Sequence, residues 1–487
     1  MGIVIKQSIR NTLTTYFGFG IGAVNALFLY TLILGETYYG ITAFVLSSSG
    51  ILMPLMALGA HNTIVKFYPH GETAKKQSGF LTAMLFLPLL FFLPLGLIFY
   101  LKYTEIALWL SRENPMLLDF IWLLPVLGIL MSYFEIYYAW VKVHFQSVFG
   151  SFLKEVFLRF LVSVSLLMVY YEIITAVFFV FSLVLIYGLN TSVMMLTAFW
   201  IKKPSFKLYL PDKLISILTY SFFILISGSI AALLVDIDRF MISQFVQIEN
   251  VAYYSVAVFI AAVIAVPGRA MHQITYPLTA KLMAQQNFLE LNKLYKQTSI
   301  NLQFVGGFIF LGILVNLHQI YELIPAQYSG GIPIVFLIGF SKYFELVLGN
   351  NNAIIFNSNY YRIVLAISIF LILTTIGLNI WLIPALGIEG AAIATLLSML
   401  AYSILKLYFV VRKIKLFPFT QNTVKLFLFS LFLFGLLYYW DFPFHPTVNI
   451  FLKSTLTTLL YVGVAYLFKI SVEINQLIEK YVRLVFK

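Results

Sequence analysis

The sequence contains no cysteine and very little charge. Of its 487 residues only 10% are charged, whereas 61% are apolar, and the mean hydropathy is +0.94. The absence of cysteine excludes disulfides, thiol catalysis and thiolate metal sites. Soluble domains are about 25% charged and roughly 45–50% apolar, so a water-soluble enzyme, a disordered chain and a coiled coil are excluded. The composition indicates a polytopic membrane protein.

Long apolar runs leave little room for any soluble domain. A membrane-spanning helix needs about 20 apolar residues. The sequence carries fourteen such runs, at 11–34, 40–64, 80–101, 117–141, 151–171, 174–200, 214–243, 251–275, 299–320, 332–355, 363–383, 388–410, 424–440 and 448–468. Because the runs within 151–200 and 363–410 lie close together, 12 to 14 crossings fit the pattern. We predict an all-α polytopic membrane protein with about 14 transmembrane helices, whose first run is not a cleaved signal peptide.

Basic residues fall on alternate connections between these runs. Twenty-six of the 31 Lys and Arg residues lie at the termini or around every second connection, and only Lys102, Arg112 and Lys453 lie on the opposite side. Because basic residues collect in cytoplasmic loops, we expect both termini to be cytoplasmic. The same asymmetry explains the formal net charge of +12 without nucleic acid as a partner.

A weak internal repeat suggests two similar halves. The segment 38–69 parallels 253–277, and each follows the first run of a set of six, as in the many transporters that are built from repeats. We expect an N-lobe of helices 1–6 at 1–200, a C-lobe of helices 7–12 at 201–415 and helices 13–14 at 416–470. Residues 471–487 follow as a cytoplasmic tail, either an amphipathic helix on the inner leaflet or a solvated end.

Polar residues recur at helical spacing in the run 332–355. Ionisable residues inside a span usually face a bundle interior or a watery cavity. Lys342, Glu345, Gly349 and Asn352 would share one face of a continuous helix, where the Glu can neutralise the Lys one turn away. This face predicts a substrate cavity, with a packed polar cluster that holds helices together as the alternative.

Helix 1 carries a stripe of small and polar residues, namely Asn11, Thr15, Gly18, Gly22 and Asn25. Small residues let helices approach closely, so close packing is the favoured interpretation of the stripe. Its polar members can also border a cavity, and we retain Asn25 as a substrate-cavity candidate.

Three acidic residues are candidates for titration during transport. Glu135 lies well inside the fourth run, where desolvation can shift its pKa, unless a contact with Lys142 or Tyr138 merely satisfies it. Asp236 and Asp238 end the seventh run.

Two arginines are further candidates for the substrate cavity. Arg239 lies three residues after Asp236, so the two would pair at i, i+3 on a helix. Arg269 lies towards the cytoplasm in the eighth run, as a cavity cation or as an anchor at the inner leaflet.

The sequence offers no catalytic motif. It has no Ser/His/Asp order, Gly-rich phosphate loop or His/carboxylate metal spacing, and no soluble nucleotide domain for an ATP-driven pump. We expect no enzyme activity, no metal and no cofactor beyond a coupling proton or sodium ion. Membrane potential is the alternative drive, since one elementary charge is worth about 2.3 kcal/mol per 100 mV.

The segment Leu378–Thr395, LNIWLIPALGIEGAAIAT, resembles the LN..LIP..GI.GAA.AT pattern of polysaccharide flippases. The segment LGETYYG at 34–40, and 237–239 followed by 253–254 and 276–277, are also similar to that family. The sequence thus resembles the Wzx-like O-antigen and oligosaccharide flippases of the MOP superfamily. The resemblance implies two six-helix lobes around a central cavity, plus two accessory C-terminal helices.

The resemblance also implies an activity. An undecaprenyl-diphosphate-linked oligosaccharide, such as a lipopolysaccharide or other polysaccharide precursor, would move from the inner to the outer leaflet by alternating access. Lys342, Arg239 and Arg269 would meet the diphosphate as charge-assisted donors. The implied partners are membrane lipid, the undecaprenyl-linked glycan and a polysaccharide polymerase with other assembly proteins, in the inner membrane of a bacterial cell.

Three other activities stay open with less support. A peptidoglycan lipid-precursor flippase would place several Arg residues in its first two helices, whereas 11–65 contains neither Lys nor Arg. A cation-coupled, MATE-like small-molecule exporter would commonly carry an acid in helix 1, which has none. A membrane-embedded glycan polymerase would usually place catalytic groups in a large external loop, whereas the longest external connection is only 102–115.

Overall fold

The chain is built from helices. The structure, a computed structural model, describes residues 2–69, 72–205, 233–234, 236–358, 360, 362–476 and 479, and within them it contains helices and no strands. In the first part of the chain these are α1 (Gly2–Val24, continued by π-helical turns over Asn25–Leu34), α2 (Gly35–Ala57), α3 (Ala60–Phe67), α4 (Ala74–Phe86), α5 (Leu89–Leu101), α6 (Tyr103–Leu110), α7 (Leu123–Lys142), α8 (Ser147–Phe152, continued over Leu153–Phe157), α9 (Leu158–Tyr170) and α10 (Ala176–Ile201).

The second part of the chain is also helical. Its helices are α11 (236–245), α12 (Glu249–Ala262), α13 (Val266–Ala284), α14 (Phe288–Val315), α15 (Leu317–Glu322), α16 (Ile332–Val347), α17 (Asn351–Phe356), α18 (Arg362–Phe409, continued over Val410–Ile414), α19 (Gln421–Leu437) and α20 (Pro446–Leu467).

Two long helical runs are interrupted at single glycines. As one straight helix, the 45-residue run Leu13–Ala57 would be about 68 Å long, more than twice the hydrocarbon thickness of about 30 Å. Gly35 interrupts it with φ 67° and ψ −178°, and Gly387 interrupts α18 with φ 59° and ψ −137°. Glycine adopts such positive φ values readily because it has no Cβ. Each run therefore holds two consecutive spans, as the sequence predicts.

The prediction of an all-α, multi-span membrane protein is confirmed. Within the described part of the chain, and with each of these two long runs counted once, eight helical segments are long and apolar enough to cross a membrane. A pair bent by 81°, Phe92–Leu101 with Tyr103–Leu110, raises this number to nine. Helices also occupy the predicted fifth run, where α8 and α9 form one continuous segment, and the predicted thirteenth run. The count of 14 stays a prediction, because most of the run 214–243 lies outside the described residues.

The contacts divide the chain into two units, Met1–Ser255 (unit 1) and Val256–Lys487 (unit 2). In unit 1 the core surrounds Trp140 of α7, which packs in one cluster with Phe80 of α4 and Met194 of α10. The predicted divisions at 1–200, 201–415 and 416–470, and the central cavity between two lobes, stay predictions.

Unit 2 has several small cores. The ring of Tyr461 on α20 lies 5.1 Å from that of Phe304 on α14, in a cluster that includes Leu433 of α19. The accessory helices α19 and α20 therefore pack on α14. Of the predicted tail, residues 472–476 form a helical turn, whereas 477–478 and 480–487 lie outside the described residues.

Candidate functional site

Four charged side chains line one cavity inside unit 1. The cavity has a volume of about 230 Å³ and lies among α2, α7, α10 and the continuous helical segment of α8 and α9. Its polar lining consists of Glu135, Lys154, Glu155, Arg159, Tyr187 and Asn190, and its apolar lining of Met53, Met131, Phe134 and Leu158. Sequence patterning had singled out only Glu135 from this set.

Glu135 on α7 forms an ion pair with Lys154. The two side chains come from consecutive helices joined by 143–146, and each lies about two turns from that connection, so the residues reach the same level. The side chain of Glu135 is 14% exposed and that of Lys154 is 48% exposed. Neither alternative partner of Glu135 forms a hydrogen bond with it: Lys142 lies within its electrostatic range, and the Nζ of Lys142 is 3.8 Å from the centre of the Tyr138 ring.

Arg159 forms the second ion pair of the cavity. Its Nη1 lies 3.0 Å from Oε2 of Glu155 and donates to the carbonyl oxygen of the same residue at 2.9 Å. The carbonyl oxygen of Arg159 in turn accepts from Nδ2 of Asn25 at 3.0 Å, and Oδ1 of Asn25 accepts from Ser163 at 2.6 Å. Asn25 is 3% exposed and joins two helices, so its role as a cavity residue stays a prediction.

The stripe of helix 1 packs closely against the segment 147–170, as favoured from the sequence. Asn11 donates to Ser147 at 3.2 Å. A Cβ on Gly18 would overlap the carbonyl oxygen of Glu155, and one on Gly22 would meet the side chain of Arg159. Only residues without a Cβ allow the two helices to approach this closely.

A third carboxylate–cation pair lies in the first turn of α11. Nη1 of Arg239 is 3.1 Å from Oδ1 of Asp236, which confirms the predicted i, i+3 pair, and Nε donates to Ser255 at 3.0 Å. Asp236 is an electrostatic neighbour of Tyr187, which lines the cavity.

Asp238 has a different environment from Asp236. It is 5% exposed, and its Oδ2 accepts a hydrogen bond from the hydroxyl of Tyr254 at 2.5 Å. The titration of Glu135, Asp236 and Asp238 during transport stays a prediction.

The continuous helix predicted over 332–355 is wrong. α16 ends at Val347, Gly349 adopts φ 59°, and α17 begins at Asn351. A Cβ on Gly349 would lie 2.8 Å from the backbone nitrogen of Ser299, so both the close approach and the positive φ require glycine. Asn352 therefore belongs to a different helix from Lys342.

Lys342 and Glu345 are half-buried on α16. The expected neutralisation of the Lys by the Glu is also wrong, because the structure contains no ion pair between them. Among the described residues, Lys342 has no hydrogen-bond or ion-pair partner.

The lysine that bonds to Asn352 is not Lys342 but a buried lysine on α18. Nζ of Lys406 donates to Oδ1 of Asn352 at 2.8 Å and lies 3.8 Å from the centre of the Tyr402 ring. Lys406 is 1% exposed, and Glu345 is a carboxylate within its electrostatic range. By its position in the sequence, Lys406 is one of the 26 basic residues around the cytoplasmic connections, whereas the structure buries it on α18.

Arg269 is exposed on α13 and has no hydrogen-bond or ion-pair partner in the described part of the chain. One turn away, His272 packs edge-on against Tyr276 with ring centres 5.6 Å apart. Both predicted roles of Arg269, cavity cation and leaflet anchor, stay open.

Sequence reasoning also missed Lys154, Arg159 and Asn190. Lys154 and Arg159 lie in the first half of an apolar run, and a cation in that position usually indicates an anchor at the membrane surface. One signal was available: Glu155 and Arg159 are four residues apart, the spacing of an ion pair on one helix face.

Part of the chain is similar to a curated protein. No family model matches the chain. Over 179 residues it is 30% identical to the "Probable flippase AglR" of Haloferax volcanii, and the aligned part is 35% of this chain and 36% of AglR. The chain thus spans about a third of the length of this curated relative.

Similarity to solved structures covers nearly the whole chain. The "Lipid II flippase MurJ" in an inward closed conformation is 13% identical with a TM-score of 0.75, over 95% of this chain and 100% of MurJ. An inward-facing "multidrug resistance MATE family transporter of the MOP superfamily" is 14% identical with a TM-score of 0.62, over 83% of this chain and 94% of that one. The chain therefore has the fold of the MOP superfamily transporters.

Proposed function

We propose that this protein is a flippase that moves a lipid-linked glycan between membrane leaflets, and not an enzyme. The observation that carries the proposal is the cavity of unit 1, in which two carboxylate–cation pairs and an amide lie among helices apolar enough to span a membrane. A polar group moved unpaired into hydrocarbon costs about 2–7 kcal/mol. A sugar chain therefore needs a hydrogen-bonding path, and its lipid anchor does not.

The comparisons support this proposal from two sides. The relative from Haloferax volcanii is a probable flippase, and the MurJ structure is that of a lipid II flippase. The cargo by this proposal is an oligosaccharide or polysaccharide precursor on a polyprenyl diphosphate, with undecaprenyl as the carrier and O-antigen as one example.

Two cations of unit 2 are suited to the diphosphate. Lys342 and Arg269 have no carboxylate partner among the described residues, so their donors are available for phosphate oxygens. Arg239 is less available, because it already pairs with Asp236.

The remaining parts of the proposal concern the surroundings of the protein. The proposed location is the inner membrane of a bacterial cell, as the resemblance to the Wzx-like flippases implies. Both termini lie in the cytoplasm by this proposal, which the distribution of Lys and Arg supports. Membrane lipid, the glycan carrier, a polysaccharide polymerase and other assembly proteins are the proposed partners. A proton or sodium ion, or membrane potential alone, drives the transport.

Deletion of the gene tests the proposed function. We expect lipid-linked glycan to accumulate on the inner leaflet and surface glycan to disappear, and the intact gene to restore both. Lys342→Gln should lower surface glycan at least tenfold. The matched control is Lys102→Gln, at an exposed lysine that pairs with Glu105, and it should restore surface glycan fully.

Two outcomes would contradict the proposal. If deletion leaves surface glycan unchanged and raises drug sensitivity, the protein is a small-molecule exporter of the MATE type. If deletion yields glycans of the wrong length without accumulation of precursor, the protein is a glycan polymerase and not a flippase.

A further inference from the structure

We propose that the cavity of unit 1 binds an uncharged sugar ring of the transported lipid, and not its diphosphate. The inference rests on the proposed function and specifies which part of the cargo this cavity recognises. Three features support it, namely an unpaired amide, a balance of charge, and a small volume with apolar side chains in the lining.

The unpaired amide belongs to Asn190 on α10. Asn190 lines the cavity and is 3% exposed, yet its Oδ1 has no hydrogen-bond partner in the described part of the chain. Leaving a buried acceptor unpaired is costly, and buried polar groups normally have a partner. An amide offers two donors beside its acceptor, which matches a sugar hydroxyl that both donates and accepts.

The charges of the cavity are balanced. Among the described lining residues, Glu135 pairs with Lys154 and Glu155 pairs with Arg159. A diphosphate would need cations in excess, whereas these two are already engaged by carboxylates. Glu135 and Glu155 would also repel an anion, so the lining favours a neutral group with many hydroxyls.

The volume of the cavity suits a single sugar ring. Its volume of about 230 Å³ is below the range of about 300–1,000 Å³ for drug-sized ligands. Met53, Met131, Phe134 and Leu158 are apolar members of the lining, and the C–H face of a sugar ring can pack on such side chains while its hydroxyls bond to the polar ones.

The affinity of two lipids for the purified full-length protein in nanodiscs tests the proposal. The probes are undecaprenyl diphosphate and the same lipid carrying one N-acetylglucosamine. We expect the wild-type protein to bind the sugar-bearing lipid at least tenfold more tightly than the bare lipid. Asn190→Leu should abolish this preference and leave the affinity for the bare lipid unchanged.

Two further variants guard against an effect on folding. Tyr187→Phe removes one hydroxyl from the lining without a change of shape and should weaken only the sugar-bearing lipid, by about twofold to tenfold. Asn250→Leu is the matched control, because Asn250 does not line the cavity, and it should leave both affinities unchanged. If Asn190→Leu does not fold, the comparison of Tyr187→Phe with the wild-type protein decides.

The opposing outcomes are distinct. A loss of affinity for the bare lipid in Asn190→Leu or Tyr187→Phe would make the cavity a phosphate site and overturn the proposal. A preference that survives in both variants, or that the wild-type protein lacks while it binds both lipids, would overturn it and leave the flippase function intact. A wild-type protein that binds neither lipid would overturn the proposed function and this inference together.

Discussion

Lys406 donates a hydrogen bond to Asn352, with Nζ and Oδ1 2.8 Å apart and more than fifty residues between them in sequence. The bond joins α18 to α17, the short helix that follows the break at Gly349. Because Lys406 is 1% exposed, water cannot replace Asn352 as its acceptor. The two residues therefore depend on each other for stability.

We expect Asn352→Leu to lower the free energy of unfolding by about 1.5–3 kcal/mol, the range for a hydrogen bond to a charged group. Adding Lys406→Met should restore most of that loss, since replacing a buried charged group by an apolar one of similar volume is often neutral or stabilising. The measurement is unfolding in mixed micelles of the wild-type protein, both single variants and the double variant. Simply additive losses would show that the two residues are not coupled.

Two glycines of helix 1 allow a matched test of close packing. A Cβ on Gly18 would overlap the backbone of Glu155, whereas one on Gly20 would meet nothing within 4 Å. Gly18→Ala should lower the free energy of unfolding by about 1–3 kcal/mol through overpacking. Gly20→Ala should leave stability unchanged or raise it by about 0.5–1 kcal/mol, because alanine favours the helix. Thermal unfolding in detergent measures both, and equal effects of the two variants would contradict the packing.

The sequence predicts the helices of this protein well because a bilayer imposes one requirement along each span. Every backbone polar group must be paired within the helix, so an apolar run of sufficient length is a helix whatever its neighbours are. The break at Gly387 is also visible in the sequence, because Pro384 and Gly387 of the LIPALG segment both disfavour a continuous helix. The packing of helix 1 was predictable for a related reason, since its small residues mark one face.

The site was harder to predict because it depends on which helices meet. Glu135 and Lys154 are nineteen residues apart, and nothing in their local patterns says that their helices align. The sequence is also a poor guide to Lys406, because a lysine near the end of an apolar run is usually an anchor at the membrane surface. Only the structure shows that this one is buried and bonded to Asn352. The spacing places Gly349 on one helix face with Lys342 and Glu345, whereas its positive φ falls at the break that follows this helix.

Asn114 connects two distant parts of unit 1. It follows α6 and is 7% exposed, and its Oδ1 accepts from the backbone nitrogen of Ile248 at 2.8 Å. Its Nδ2 donates to the carbonyl oxygens of Ser243 at 2.7 Å and Val246 at 3.0 Å. One side chain thus pairs three backbone groups, one near the end of α11 and two in the turn between α11 and α12.

Asn114→Leu should therefore lower the free energy of unfolding by at least about 2 kcal/mol, because each buried backbone group left unpaired costs about 1–3 kcal/mol. The turn should also open more often. Since the chain contains no cysteine, Ile248→Cys provides a single thiol at a buried position of the turn, and we expect its rate of maleimide labelling to rise severalfold when Asn114→Leu is added. Asn250→Leu, at a residue that donates only to the neighbouring Gln247 carbonyl, is the control for stability. If Asn114→Leu unfolds at the same temperature as this control, the turn is held by its other contacts and not by Asn114.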